Sequence, residues 1–195
     1  MYHKPLLFVL MPFGVREVSL DSGRPTMDFD DFYRSLIRPA AEAVGWNAQR
    51  ADEITKPGPI MNSVYEQLVK ADAVLADLTS VNGNVLYELG IWNALMTCPT
   101  FLIARQGTYI PFDIVQFRVL MYEDQHEPTI RNQIRQDLET GLRYMLTERG
   151  TSFGNPVEQA LKVSAVRPAG GSLDADKEFA LRVERANNIE QLMAV

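Results

Sequence analysis

Short apolar runs alternate along this chain with stretches in which apolar residues recur every three or four positions. The runs predict buried strands at 5–11, 73–78, 100–104 and 117–122, with a shorter strand near 47–51. Near-continuous apolar strands are typical of parallel strands that are covered on both faces. Because the strands alternate with helical segments, we expect an α/β fold: a doubly wound, flavodoxin-like parallel sheet of about five strands with helices on both faces.

The helical segments have recognisable starts and stops. The first is predicted to begin after Asp28 as N-cap and to end at Gly45, with Pro39 kinking it or marking its last turns. Further helices are predicted at 60–69, 85–96 and 130–150. The polar segment 15–27 is expected to be a loop that closes on a ligand as a flexible cover.

The pattern weakens after residue 150. Residues 1–150 are expected to form the α/β domain, and residues 151–195 a helical tail with a flexible linker near 167–172, where the sequence is RPAGGS. The tail carries one apolar stripe that has no obvious place on a completed sheet: Phe179, Val183, Ala186, Ile189 and Met193. We therefore expect a homo-oligomer.

Composition narrows the class of partner. The net charge is −6 and the isoelectric point is about 5.0, with basic residues scattered, so neither nucleic acid nor an anionic membrane surface is an expected partner. Cys98 is the single cysteine, and His3 and His126 give no metal spacing, so no metal or other cofactor is expected. The lack of a long apolar run or of a signal-peptide pattern at the amino terminus favours a cytoplasmic location.

The stretch 71–95 carries the candidate chemistry. Asp77 interrupts the central strand at its carboxyl end, where open α/β sheets bind their ligands. Glu88 follows near the start of an otherwise apolar helix, where the helix dipole favours a carboxylate. We expect Glu88 to be ionised, with the amides of Asn82 and Asn84 and the helix end offsetting the cost of its burial.

Five segments carry a resemblance to a known family: FVLMPFG (8–14), RAD (50–52), ADAVLADLT (71–79), NGNVLYELGIWNAL (82–95) and IPFDIVQFRVLMY (110–122). Over roughly residues 5 to 123 the chain resembles the nucleoside 2-deoxyribosyltransferase-like superfamily, a relative of the TIR domains that cleave nucleotides. The resemblance implies that Glu88 is the catalytic nucleophile or the stabiliser of the sugar. It also implies that Asp72 contacts the base and that sites are completed across subunits.

The implied reaction is N-glycosidic bond cleavage or N-ribosyl transfer on a nucleoside, nucleotide or NAD. Breaking that bond develops positive charge on the sugar, which a carboxylate can stabilise or trap. Glu88 and Asp77 are the predicted catalytic residues. The predicted substrate-binding residues come from the strand ends and the matching segments: Met11, Pro12, Phe13, Gly14, Asp52, Asp72, Asn82, Asn84, Phe112 and Asp113.

Structural interpretations compete at most of these positions. Polar residues can cap turns and helices, begin a strand or fix a loop, and the two phenylalanines can belong to the core. The chain also departs from the family, with Phe13 in place of a tyrosine that orients the glutamate and with Asn82 or Asn84 in place of a second acid. A non-catalytic TIR-like nucleotide-binding or signalling module, or a scaffold assembled through the tail, therefore remains open.

Overall fold

The fold is a parallel α/β sheet covered by helices on both faces. The computed structural model describes residues 4–54, 60–96, 98–115, 117–123 and 127–147. Its strands are β1 (Leu6–Leu10), β2 (Val15–Glu17), β3 (Thr26–Asp28), β4 (Asn47–Arg50), β5 (Ala73–Asp77), β6 (Thr100–Arg105) and β7 (Val119–Tyr122).

Five of these strands form one sheet in the order β4-β1-β5-β6-β7, and every pair in it is parallel. Counted along the chain among themselves, these strands have the order 2-1-3-4-5 of flavodoxin-like folds. The predicted doubly wound α/β class is therefore confirmed.

The helices divide between the two faces of the sheet. They are α1 (Phe29–Phe32), α2 (Arg38–Val44), α3 (Ile60–Lys70), α4 (Gly83–Leu95) and α5 (Pro128–Thr147). Residues of α1, α2 and α5 share one apolar cluster, and residues of α3 and α4 share the other. Since successive strand residues point to opposite faces, Leu7 and Val9 of β1 enter the first cluster while Phe8 and Leu10 enter the second.

Pro39 distorts the first helical segment as predicted. The Asp28 side chain caps its start by accepting the N–H groups of Asp30 and Asp31, and Gly45 ends it with φ of 105°. Between α1 and α2 lies one π-helical turn, Tyr33–Ile37, whose wider winding lets the Arg38 N–H donate to the Tyr33 carbonyl. Proline lacks the N–H needed for the regular ladder and its ring crowds the preceding turn, which explains the wider winding here.

The prediction of an irregular loop at 15–27 is wrong. Strands β2 and β3 pair antiparallel in that segment, and Val18 and Met27 are buried. The tip of this hairpin contacts the loop after β6: the Asp21 N–H donates a hydrogen bond to the Gly107 carbonyl at 2.9 Å. The two apolar side chains anchor an otherwise polar segment, and closure on a ligand stays a prediction.

The predicted tail at 151–195, its linker near 167–172 and its apolar stripe all lie outside the described residues, as do His3 and His126. Across the described ranges, no helix combines the length and the apolar character needed to cross a membrane.

Substitution of two helical glycines, Gly141 and Gly90, can test how closely α5 and α4 are packed. A β-carbon on Gly141 of α5 would lie 2.3 Å from Cζ of Phe101, whereas one on Gly90 of α4 has no heavy atom within 4 Å. Alanine favours a helix over glycine by about 0.5–1 kcal/mol, so Gly90→Ala should raise the free energy of unfolding by that amount. Gly141→Ala should instead lower it by about 1–3 kcal/mol, because the aromatic ring must move.

Chemical denaturation of the two variants measures this difference. An equal increase in stability for both would contradict the close packing of Phe101 against α5.

Candidate functional site

The candidate site lies at the carboxyl edge of the sheet, where β1 and β5 are neighbours. The chain leaves β1 towards β4 and leaves β5 towards β6, so the order of the strands reverses between them. Open α/β sheets bind ligands in the crevice at such a switch point. Here three segments meet it: 11–14 after β1, 51–54 after β4 and 78–84 after β5.

Residues 11–14, each predicted to bind substrate, follow β1 and form one wall of this crevice. Met11 and Pro12 are buried, while Phe13 is 40% exposed. Gly14 has φ of 69°, a conformation that favours glycine. Its N–H donates to Oδ1 of Asp30 at 3.1 Å, so a phosphate binding at this amide has to displace Asp30.

A fully buried cation lies behind that wall, and the sequence interpretation missed it. Arg50, the last residue of β4, is 1% exposed. Its Nε and Nη2 donate to the two carboxylate oxygens of Asp52 at 2.7 and 2.6 Å, and Nη2 also donates to Asp30 at 2.7 Å. The guanidinium lies over two rings, 5.0 Å from the centroid of Phe13 and 4.7 Å from that of Tyr33.

The charges of this cluster satisfy one another. Burial opposes the ionisation of Arg50, but the bonds to Asp52 and Asp30 outweigh it and raise its pKa. The Gly14 N–H, and then Arg50, lower the pKa of Asp30. Asp52, a predicted substrate-binding residue, uses both of its carboxylate oxygens on Arg50. An arginine at a strand end, followed two and three residues later by Asp52 and Glu53, was the sequence signal for this cluster.

Glu53 extends the cluster towards the first helical segment. It accepts hydrogen bonds from the Arg50 N–H at 3.1 Å, from the Tyr33 hydroxyl at 2.7 Å and from Nη1 of Arg38 at 2.6 Å. Burial and then this bond to Glu53 raise the pKa of Tyr33. The segment after β4 is therefore joined through side chains to the first helical segment.

Asp77 is closed to solvent. It is 0% exposed and accepts hydrogen bonds from the Thr79 N–H at 2.9 Å, the Thr79 hydroxyl at 2.5 Å and the Tyr122 hydroxyl at 3.1 Å. Burial raises the pKa of Asp77 to about 6, although these bonds oppose the shift. This geometry matches the alternative in which Asp77 caps the following turn, and it gives no support to the predicted catalytic role.

Asp72 lies at the opposite edge of the sheet, so its prediction as a crevice residue is wrong. Its Oδ2 accepts the Leu6 N–H at 2.8 Å, and its own N–H donates to the Leu6 carbonyl at 2.9 Å. It precedes β5, five residues before Asp77, which corresponds to about 16 Å along a strand. Asp72 therefore anchors the start of β1 instead of contacting a ligand at the crevice.

Phe112 and Asp113 lie in the turn after β6, at the same edge of the sheet as the crevice. Phe112 is 78% exposed, which excludes the alternative of a core residue. Asp113 is exposed as well. Their predicted contact with a substrate stays a prediction.

Asn82 and Asn84 lie at the start of α4, and Asn82 has a structural role there. The Asn82 side chain is the N-cap and accepts the N–H groups of Asn84 and Val85 at 2.9 and 3.4 Å. Asn84 is exposed in the first turn. The helix begins at Gly83, two residues earlier than predicted.

The backbone directly before α4 is strained. Val81 has φ of 47°, a left-handed conformation that a β-branched residue rarely adopts and that costs roughly 1–3 kcal/mol. Next to it, the Ser80 hydroxyl oxygen is buried and has no hydrogen-bond partner within the described part of the chain. Strained backbone of this kind clusters at functional sites.

Glu88 lies in the second turn of α4, on the flank near Tyr65 of α3. It is half-buried, and it makes no hydrogen bond to the described residues. Its charge and the hydroxyl of Tyr87 both raise the pKa of Tyr65, so the three side chains are close together. Burial raises the pKa of Glu88 to about 7.

A pKa of about 7 leaves Glu88 only partly ionised at neutral pH, which departs from the expectation of an ionised carboxylate. The dipole effect falls off within the first turn, and Glu88 is the sixth residue of the helix. Asn82 caps the backbone and Asn84 points into solvent, so the amides expected to stabilise the carboxylate are not bonded to it. A carboxyl group with a pKa near 7 is suited to proton transfer as well as to charge stabilisation.

The surroundings of Glu88 help to choose between an enzyme and a scaffold. A side chain that fills the crevice would favour a scaffold, and a second acid near Glu88 would favour an enzyme. Phe13 and Tyr87 are 40% and 59% exposed, so neither is buried as a plug in the crevice. Burial is the cause of the raised pKa of Glu88, and no described side chain forms a hydrogen bond with its carboxyl group. In the same ranges, no group of His, Cys, Asp and Glu residues could hold a metal ion.

Comparison with protein-family models gives no match for this chain, and no curated protein matches it either. The function proposed below therefore depends on the site geometry and on the five resembling segments.

Glu88 should make stability depend on pH. Its pKa is raised in the folded state, so ionisation costs stability: the cost is absent below the ordinary value of 4.5 and complete above about pH 7. Glu88→Gln removes the charge and should raise the free energy of unfolding at about pH 8 by on the order of 1–2 kcal/mol, a figure reduced for solvent screening.

Thermal unfolding of parent and variant at about pH 5 and pH 8 measures the effect. The melting temperature of the variant should exceed that of the parent at the higher pH and approach it at the lower. A variant that is less stable at the higher pH would show that the carboxylate has a stabilising partner.

Proposed function

We propose that this chain cleaves or transfers the N-glycosidic bond of a nucleoside, nucleotide or NAD, and that Glu88 acts on the sugar. One observation carries the proposal: Glu88 is a half-buried carboxyl group without a hydrogen-bond partner in the described residues, and it lies on α4, the helix that follows β5 at the switch point of the sheet. A carboxyl group desolvated without compensation in a crevice is a physical sign of a functional site. The resemblance of the segment 82–95 implies the same residue.

The environment of Glu88 suits a reaction that develops positive charge. As the glycosidic bond breaks, the sugar becomes cation-like, and an adjacent carboxylate stabilises it or bonds to the anomeric carbon. Such a charge also lowers the pKa of the carboxyl group, because an opposite charge favours the ionised form. The interaction is therefore stronger in the transition state than in the ground state, which is the condition for catalysis.

The bonding of the other carboxyl groups ranks the three substrate classes. The base of an ordinary nucleoside leaves as an anion unless an acid protonates it, and the described acids at this edge are already bonded: Asp30 and Asp52 to Arg50, and Asp77 to Thr79 and Tyr122. The nicotinamide of NAD is bonded to ribose as a cationic pyridinium and leaves as a neutral molecule without a proton. This supports NAD or a related pyridinium nucleotide above neutral nucleosides.

A non-catalytic nucleotide-binding or signalling module is the second candidate. Two observations favour it: Phe13 stands where the family has a tyrosine that orients the glutamate, and Arg50, Asp30 and Asp52 are bonded to one another. This candidate predicts that a nucleotide binds and that no base is released.

Base release tests the choice directly. Purified protein is incubated with a nucleoside, a nucleotide and NAD, and the free base is measured by chromatography. Glu88→Gln should lose base release by on the order of a hundredfold or more while remaining folded, because each ~1.4 kcal/mol of lost transition-state stabilisation is a factor of ten. Glu139→Gln, which alters a surface carboxylate paired with Arg135, is the matched control and should retain activity.

Absence of base release from every substrate would favour the binding module. Equal rates for Glu88→Gln and the parent would exclude Glu88 as the reacting carboxyl group.

The pH dependence of kcat/KM should follow the carboxyl group of the free enzyme. Because the anion is the active form, kcat/KM should rise about tenfold per pH unit below pH 7 and level off above it. Rates on NAD across about pH 5 to 9 measure this profile. A rate that falls over the same range would mean that protonated Glu88 is the active form and that it acts as a general acid.

A further inference from the structure

Phe13 is the outermost member of a stack at the mouth of the crevice. The Arg50 guanidinium lies over one face of its ring at 5.0 Å, and the Tyr33 ring lies at 4.7 Å from the same guanidinium. Arg50 is 1% exposed, so one face of the Phe13 ring rests against buried protein. Phe13 as a residue is 40% exposed, so Arg50 and its neighbours cover the ring only in part.

The Phe13 ring is held in place by the Arg50 guanidinium beneath it and by its neighbours in the chain. Asp52 and Asp30 hold the guanidinium with three hydrogen bonds of 2.6 to 2.7 Å. Pro12, directly before Phe13, is buried, and the next residue is held by the bond from the Gly14 N–H to Asp30. A ring that is already fixed loses little conformational entropy when a ligand stacks on it.

We propose that the outward face of Phe13 is a stacking platform for the planar heterocyclic base of the ligand, with Arg50 as the positioning residue that holds the ring in place. Every nucleobase, and nicotinamide too, presents a flat π face that such a ring can take. The loop after β1 and the start of α4 flank the same crevice, since β1 and β5 are adjacent strands.

This inference rests on the proposed function only in the choice of ligand. The family's tyrosine at this place is implied to orient the glutamate, whereas here the corresponding ring rests on Arg50 and is partly exposed to solvent. The two roles can be separated by measuring binding without turnover.

Binding is measured by calorimetry in the Glu88→Gln background, which removes both cleavage and the negative charge of Glu88. The probes are adenosine monophosphate and nicotinamide mononucleotide, with ribose 5-phosphate as the probe that lacks a base. Phe13→Leu keeps an apolar side chain and removes the ring, and Phe13→Tyr keeps the ring. Tyr144→Leu, at an aromatic residue on α5 that is 60% exposed, is the control for loss of a surface ring.

The base-containing probe that binds more tightly should lose at least about fivefold in affinity with Phe13→Leu, since stacking on an aromatic ring is worth about 1–3 kcal/mol per base. Phe13→Tyr and Tyr144→Leu should bind it like the background protein, and ribose 5-phosphate should be unaffected by all three changes. Unchanged affinity in Phe13→Leu would overturn the platform. So would a protein that binds neither base-containing probe more tightly than ribose 5-phosphate.

The outcomes separate this inference from the proposed reaction. If Phe13→Leu loses base-dependent binding and the parent releases no base, the stacking platform is supported and the proposed reaction is contradicted. If the parent releases base and Phe13→Leu binds the probes unchanged, the proposed reaction is supported and the platform is contradicted.

Discussion

The cost of burying a polar group without a partner governs the carboxyl edge of this sheet. Parallel strands bring all their carboxyl ends to one edge, and the residues that follow them carry charges into partly buried positions. Arg50 meets that cost with Asp52 and Asp30, and Asp77 meets it with Thr79 and Tyr122. Glu88 is the half-buried carboxyl group for which the described residues provide no such bond.

The bonded groups stabilise the fold, whereas Glu88 is the group to which we assign the proposed reaction. The satisfied clusters connect strands and loops: Arg50 joins the loops after β1 and β4, and Tyr122 joins β7 to the turn after β5. Glu88 follows a turn that contains a strained Val81 and a buried Ser80 hydroxyl that bonds to none of the described residues. Proteins keep such unfavourable features where function needs them, at the expense of stability.

The sequence predicted the architecture well, because hydrophobic periodicity depends mainly on burial. The apolar runs of β1, β5 and β6 matched strands within one residue at each end, and the caps Asp28 and Gly45 were both placed correctly. The hairpin at 15–27 was missed because its strands have three residues each and only Val18 and Met27 among its apolar residues are buried in the core. Such short strands leave no alternating pattern to detect.

The site was harder to predict, because partners are fixed by tertiary structure. Asp72 and Asp77 differ by five positions, but the strand between them places them at opposite edges of the sheet. Asp52 looked available for a ligand until Arg50 was found to occupy both of its oxygens. The ionisation of Glu88 was misjudged for a similar reason: the amides near it in sequence are bonded to the helix start or lie in solvent.

The pKa of the Glu88 side chain is the most direct test of this account. It can be measured by following the carboxyl carbon by nuclear magnetic resonance against pH, with Glu88→Gln used to assign the signal. The account predicts a midpoint near 7 in the ligand-free protein, because the carboxyl group is desolvated without a partner. A midpoint near the ordinary value of 4.5 would mean that Glu88 is solvated or bonded, and would contradict the central claim.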